Sequence, residues 1–486
     1  MSLSIKRLAG ETLVYGASTM VGRLLNWLLM PFYIRVILPE EYGVIVNIYG
    51  LISVLLVLFT YGLETGFFRF ARDGEEASVY SSSLKMLAYS SSLLFLLSLL
   101  FSRSFSLFFY EGNHQSAIIL TGIIVASDSF LALPFARLRL QSASLRFGLI
   151  KLSGIGLNIS LNLFFLLFLP YLFSKGLLLS LFDFYNQISG VFWILLSNAL
   201  SSVFQLLFFL KDLVFLRGPV QWPLIKNMLR YSWPVLLVGL SGMLTQNVDK
   251  IWMPKLIKDN GFRELAVYGA NFKIGVLMSL FTQSFRFAFE PYFFKNREKG
   301  KNAYALVMEY FVFFGLLIFM GVILFQDVVN VLLTPEYLRG NIVIPLILMA
   351  LFFYGIYFNL SLWYKLSDKT IYGAYFGVFG MVITIALNFI LVPRIGFMGA
   401  AIALTAGYGT MMLISYYFGQ KFYPIAYPIG RIFLHFLVAG VLVLAGSLLS
   451  IKLFYLELVF KSFLIISFLF YIWYIHFKYL SPNAHD

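Results

Sequence analysis

The sequence predicts an all-α polytopic membrane protein of about 14 transmembrane helices, in two six-helix lobes related by an internal repeat plus two C-terminal helices. Three observations lead there. Of the 486 residues, 60% are hydrophobic and only 12% charged, more apolar surface than a soluble fold of this size can bury. Apolar segments fill the chain almost from end to end, and a bilayer core of ~30 Å needs ~20 such residues to be crossed as a helix. The first twelve segments also divide into two similar sets of six.

Taken in order, segments at 10–37, 43–66, 80–101, 116–138, 146–170 and 188–210 form the first lobe, 1–210. The first segment is too long for a cleavable leader, carries Arg23 and lacks a small-residue cleavage pattern, so it reads as a retained span. Extra residues between Pro170 and Gly190 read as an outer loop or a short interfacial helix. The stretch 211–230 is basic, contains Pro219 and Pro223, and reads as a cytoplasmic linker long enough to let the lobes rock. Segments at 232–256, 266–291, 304–326, 341–363, 370–393 and 397–419 form the second lobe, 231–420. Within it, Gly373, Gly377 and Gly380, and then Gly399, Ala403 and Gly407, make small-residue faces that let membrane helices approach closely. The last two segments, 430–450 and 455–476, have no counterpart and fall in 421–486. Trp222, Trp233, Trp252, Trp363 and Trp473 sit near segment ends, where an amphipathic ring prefers the headgroup level.

The net charge of +14 points to topology rather than to nucleic acid. With the N-terminus inside, the inner loops hold roughly twice as many Lys and Arg as the outer ones, the bias expected of cytoplasmic loops. Arg139, Arg146 and Lys151 are counted on that inner side. An even number of spans then puts both termini in the cytoplasm, in a bacterial inner membrane. The basic loops attract anionic membrane lipids. The chain has no cysteine, and its four histidines show no ligand spacing. No cofactor or metal is expected, and no nucleophile–base arrangement or phosphate loop marks an enzyme.

The repeat is read from residues. LLNWLLMP at 24–31 faces NVDKIWMP at 247–254, which sets Asn26 on Asp249. Twenty-two residues beyond each following Tyr-Gly stand Glu64 and Glu290, in YGLETGFFRF and FAFEPYFFKN. Both copies read Glu-x-x-Phe-Phe-(Arg/Lys). Six spans per copy is even, so the copies share one orientation and are related by an axis along the membrane normal.

Charges inside spans are costly and tend to face a bundle interior or a water-filled cavity. Arg23 lies near the midplane of the first span. It reads as an anion-binding group in a central cavity, or else as the partner of Asp128 in a structural ion pair. Asp249 and Lys250 are adjacent, so they point ~100° apart on a helix and need different partners. Lys273 can bind an anion or snorkel outward. Arg286 and Glu290 have the i,i+4 spacing of an ion pair, while Glu64 has Arg69 and Arg72 nearby. Ser18, Thr19, Asn26, Asn158, Asn162, Thr245, Gln246, Asn247 and Asn388 line a hydrated cavity or hold helices together.

The segment GASTMVGRLLNWLLMPFYIRVILPEEYGV, the doubled six-helix unit and the YG…E…FFR pattern resemble the oligosaccharide flippases. These are the polysaccharide-transporter (Wzx-like) branch of the multidrug/oligosaccharidyl-lipid/polysaccharide exporter superfamily. The resemblance spans the whole chain. It implies movement of an undecaprenyl-pyrophosphate-linked oligosaccharide to the outer leaflet for O-antigen, capsule or exopolysaccharide assembly, by alternating access. In that role Arg23, Asn26, Gln246, Lys250 and Lys273 bind substrate. Glu64, Asp128, Asp249, Arg286 and Glu290 serve ion coupling or gating, with H⁺ or Na⁺ as the ion. Polysaccharide polymerase machinery is an implied partner; nucleic acid is not. A multidrug/cation antiporter of the same superfamily and a peptidoglycan lipid II flippase remain the alternatives. A membrane-embedded glycosyltransferase or polymerase needs a sizeable outer loop that this chain lacks.

Overall fold

The computed structural model describes residues 2–73, 76–217, 219–295, 301–367, 369–449 and 453–479; the side chains of 2–15, 17, 72–73, 179, 287–288, 290–295, 302 and 476–479 lie outside the description. Every regular element among these residues is helical. They are α1 (Ser2–Val36), α2 (Pro39–Thr60), α3 (Leu63–Asp73), α4 (Glu76–Tyr110), α5 (Gln115–Leu140), α6 (Ser144–Leu163), α7 (Leu169–Ser174), α8 (Leu179–Asn186), α9 (Gly190–Leu207) and α10 (Trp222–Leu256). Then come α11 (Gly261–Lys295), α12 (Lys301–Leu324), α13 (Gln326–Asn330), α14 (Ile344–Leu360), α15 (Leu362–Leu366), α16 (Ile371–Ile395), α17 (Phe397–Phe422), α18 (Ile429–Leu448) and α19 (Phe454–Tyr479).

Among the described residues, 12 helical segments are long and apolar enough to cross a bilayer, and the protein is a multi-pass membrane protein. The other two expected spans, 10–37 and 232–256, lie in α1 and α10. Each is a 35-residue helix, easily long enough to cross at ~1.5 Å per residue. They fall short in hydropathy because they carry Arg23 and Asn26, and Gln246, Asn247, Asp249 and Lys250.

The contacts divide the chain into two compact units, 1–269 with 388–396, and 270–387 with 397–486. The first boundary falls inside α11 and leaves all of α10 in the first unit.

In the first unit, α4 packs along α5 through small residues. Ser83, Ser90, Ser91, Ser98, Ser102 and Ser106 are buried on α4, and a Cβ on Gly122 would meet Ser98. Ser90, Ser98 and Ser102 satisfy their hydroxyls on the helix itself, Ser98 Oγ donating to the Phe95 carbonyl at 2.7 Å. Small residues of this kind give the close approach that membrane helices use in place of a hydrophobic drive. The opposite face of α4 exposes large apolar side chains, among them Leu93, Leu97 and Leu100, suited to lipid.

Two departures from the sequence reading concern the chain path. Span 43–66 is broken. Tyr61 (φ 54°) and Gly62 (φ 65°) are left-handed, which ends α2 and lets α3 start afresh. The linker 211–230 is not a loose tether. Residues from Trp222 onward already belong to α10, and the rest is fastened to α4 and α5. Tyr80 donates to Asp212 at 2.9 Å, Ser81 to the Phe215 carbonyl at 2.7 Å and Lys85 to the Pro219 carbonyl at 3.0 Å. Arg137 lies over the Tyr80 and Phe215 rings and pairs with Glu76 at 3.0 Å. The extra residues after Pro170 form α7 and the short, largely exposed α8, with Tyr185 stacked on Trp193.

Gly43 is a close approach. A Cβ there would fall on the Phe262 carbonyl at the start of α11. Gly43→Ala is expected to cost at least ~1–3 kcal/mol, the usual range for overpacking, because the obstacle is backbone and cannot rotate away. Thermal unfolding in detergent measures it. In the second unit α16 and α17 meet at Gly380 and Gly407, where a Cβ would strike Met411 and Thr384.

Candidate functional site

The charges paired within the bundle fall into three groups. The first lies in the first unit, where Arg139 and Glu64 keep 35% and 37% of their side chains exposed. Glu64 opens the first turn of α3 and pairs with Arg139 near the end of α5. Arg139 also covers the Phe68 ring, at 5.3 Å. Its positive charge is felt by Lys151 on α6, whose ammonium sits 4.1 Å from the Phe135 ring centre. Lys151 in turn opposes Asp128 on α5, which also accepts a hydrogen bond from Ser202 on α9. Tyr49 on α2 stands near Asp128 and accepts from Asn198 Nδ2 at 3.1 Å. Glu64 and Arg139 are an ion pair, Arg139 acts electrostatically on Lys151, and Lys151 on Asp128. Opposite charges so placed offset part of one another's cost in low dielectric.

This corrects two expectations. Glu64 pairs with Arg139, while Arg69 lies over the Tyr231 ring; the Arg72 side chain is outside the described residues. Lys151 and Arg139, counted on the inner side as loop charges, are helical residues of the bundle. A signal for Arg139 exists: it follows Asp128 by eleven residues, about three turns, and so shares its helix face. Lys151 stands about two turns into α6.

The second group lies near the C-terminal end of α10. Asp249 is 1% exposed and Lys250 7%. Asp249 accepts from Tyr268 at 2.5 Å and from Lys250 Nζ at 3.2 Å. The two adjacent residues therefore satisfy each other, contrary to the expectation of separate partners. The lysine stem is long enough to curl back, which a Cα-direction argument ignores. Lys250 Nζ also donates to the Gln246 carbonyl at 2.5 Å. Asn47 of α2 donates to the Lys250 and Ile251 carbonyls at 2.8 and 3.0 Å, and accepts from Tyr110 at 2.7 Å. Helix α10 can use an extra donor there because Pro254, four residues beyond Lys250, supplies no N–H.

The third group was not singled out in the sequence. In the second unit Glu309 on α12 is 5% exposed. It accepts from Arg431 at 2.9 Å and contacts His435 Nε2 at 3.3 Å, both on α18. The other ring nitrogen of His435 meets Tyr471 of α19 at 3.0 Å. Lys461 of α19 pairs with Asp327 at 2.9 Å and Glu457 at 2.7 Å. Together these pairs fasten the two C-terminal helices to the unit.

The remaining expected residues stand apart. Arg23 and Asn26 are exposed on α1. Lys273 is half-buried on α11. Arg286 lies over the Phe358 ring at 4.7 Å, beside Thr282 and Asn359. The Glu290 side chain, and with it the expected Arg286–Glu290 pair, lies outside the described residues. Asn162 holds helices together: it accepts from Tyr33 of α1 at 2.9 Å and donates to the Asn158 carbonyl at 2.8 Å. Among the described residues no group of three or more His, Asp or Glu is placed to hold a metal ion.

No family model matches the sequence, and no curated protein is similar to it in sequence. Solved structures are similar in fold. The lipid II flippase MurJ in an inward-closed conformation matches with a TM-score of 0.71 at 14% identity, covering 95% of this chain and 100% of that one. An inward-facing MATE family multidrug resistance transporter of the MOP superfamily matches at 0.64 and 18% identity, covering 82% and 94%. An outward-facing MATE family transporter matches at 0.53 and 18% identity, covering 85% and 94%. The chain therefore has the all-helical fold seen in MOP-superfamily transporters and flippases.

Proposed function

We propose that this protein is a flippase that carries an undecaprenyl-pyrophosphate-linked oligosaccharide across the bacterial cytoplasmic membrane for O-antigen, capsule or exopolysaccharide assembly. Two lobes of repeated sequence, 1–210 and 231–420, would act by alternating access, with both termini in the cytoplasm. The observation that carries the reading is the extent of the fold likeness. It covers 95% of the chain for the lipid II flippase and 82–85% for the MATE transporters. Fold alone does not assign a substrate, so the chemistry of the charges must supply the rest. Arg23, Lys250 and Lys273, with Asn26 and Gln246, suit a pyrophosphate and its sugars. Lys151 and Arg139 add cations inside the first unit. Outward movement of negative charge is favoured by the membrane potential, at ~2.3 kcal/mol per charge per 100 mV. Glu64, Asp128, Asp249, Arg286 and Glu290 are the candidates for ion coupling or gating.

The test is Arg23→Ala in the producing cell. We expect surface polysaccharide to disappear while the protein still inserts, measured by glycan staining beside a membrane immunoblot. Normal polysaccharide in that variant removes Arg23 from the site. A second reading, the multidrug/cation antiporter, is favoured by Asp128, a carboxylate held by Lys151 and Ser202 inside the first unit. Drug resistance that depends on Asp128, with unchanged polysaccharide, would select it.

A further inference from the structure

A cavity of about 310 Å³ opens in the first unit where α1 turns into α2, α4 into α5 and α10 into α11. That volume is near the lower end of the ~300–1,000 Å³ usual for small-molecule sites. We propose that this cavity is a carbohydrate-binding subsite that takes a neutral sugar residue of the carried glycan. The proposal rests on the flippase reading for the origin of the sugar, and on the cavity wall for its chemistry.

The wall mixes charges evenly. Three carboxylates, Glu40, Glu41 and Glu111, face it beside three cations, Lys255, Lys258 and Arg263. An anion would meet the carboxylates and a cation the ammonium groups, so neither sign is favoured. A hydroxyl both donates and accepts, and is served by both kinds of wall. The carboxylates are arranged rather than scattered: Glu41 accepts from the Gly190 amide at 3.1 Å, and Glu40 faces Arg263 at 3.9 Å. Aromatic rings supply the apolar side. Tyr110, 3% exposed, backs the cavity 5.6 Å from Phe262 at an interplanar angle of 31°, and the partly exposed Phe109 and Phe262 rings leave apolar surface on which the C–H face of a pyranose can rest. Tyr110 is fixed from below by its bond to Asn47, the residue that also holds the Lys250 and Ile251 carbonyls. Burial lowers the pKa of His114, with Glu41 pulling it part of the way back. The imidazole is then neutral near pH 7 and offers one donor and one acceptor.

The backbone points to the same place. Among the described residues six non-glycines have positive φ, and three of them, Glu111, His114 and Asn260, line this cavity. Such residues are strained and cluster at ligand clamps.

The native absence of cysteine makes the test direct. Asn113→Cys places one thiol on the wall, and Asn186→Cys on α8 is the control. The full-length protein in nanodiscs is labelled with a polar maleimide, with and without millimolar neutral oligosaccharides built of hexose or N-acetylhexosamine. At least one oligosaccharide should slow labelling at position 113 several-fold and leave position 186 unchanged. Glu111→Gln with Lys258→Gln should remove that protection without changing the folded yield. The proposal is overturned if no oligosaccharide protects, if O-phosphoethanolamine protects as well as any sugar, or if the double substitution leaves protection intact. Deleting the gene separates the two ideas. Protection by sugar with surface polysaccharide unaffected by deletion would keep the subsite and remove the flippase reading. Polysaccharide lost on deletion, with no protection, would do the reverse.

Discussion

Asp249→Ala should be among the most damaging substitutions in the protein. It removes the carboxylate that stands 3.2 Å from the Lys250 ammonium, itself 7% exposed, and that accepts from Tyr268. Removing one member of a buried pair costs about 3–5 kcal/mol, because the survivor is an uncompensated charge. We expect a large drop in the detergent melting temperature and a loss of monodisperse protein on size exclusion. Removing both charges separates stability from function. Replacing a whole buried pair by apolar residues of similar size is often neutral, so Asp249→Leu with Lys250→Met should recover most of the lost stability. If the pair serves transport, the recovered protein will not restore surface polysaccharide in a deletion strain. If it is structural only, the double variant will be active.

The second large effect is expected at Glu309. This one carboxylate, 5% exposed, meets both Arg431 and His435. Glu309→Ala leaves two α18 side chains facing a gap, at a similar cost of about 3–5 kcal/mol. The contrast is the Lys461–Asp327 pair, which joins α19 to α13. Asp327 has 62% of its side chain exposed, and pairs of that kind contribute about 0–1 kcal/mol. Asp327→Asn should therefore melt close to the parent, while Glu309→Ala melts well below it. Limited proteolysis in the 423–428 connection reads out whether α18 and α19 have loosened: cleavage there should rise in Glu309→Ala alone. Equal melting of the two variants would mean that Glu309 holds nothing together.

Fold class was legible in this sequence because lipid imposes one strong rule, that a crossing segment must be long and apolar. Segments such as 304–326 and 397–419 obey it with little ambiguity. What hydropathy could not show was the break at Tyr61–Gly62, since two left-handed residues change no hydropathy average. The charge partners were less legible, for geometric reasons. Asp249 and Lys250 were set apart by their Cα directions, yet the lysine stem reaches across. Lys151 was read as a loop cation because it lies near a segment end, and only the packing of α6 against α9 and α5 turns it toward Asp128. Glu309 and His435 are 126 residues apart and share no local pattern; tertiary packing alone unites them. The Glu290 side chain lies outside the described residues, and Arg23, exposed on α1, stays a proposal for experiment.

The left-handed pair at Tyr61 and Gly62 gives the duplicated sequence unequal mechanics. In the first copy the stretch leading to Glu64 contains a joint, closed by Thr65 and Gly66 amides donating to the Gly62 carbonyl. In the second copy the matching stretch leading to Glu290 is one 35-residue rod from Gly261 to Lys295. A bend at Gly62 therefore needs no helical hydrogen bond to open, because the helix has already ended there. The two acidic positions that the sequence reading sets in register follow a break in one case and lie within a continuous helix in the other.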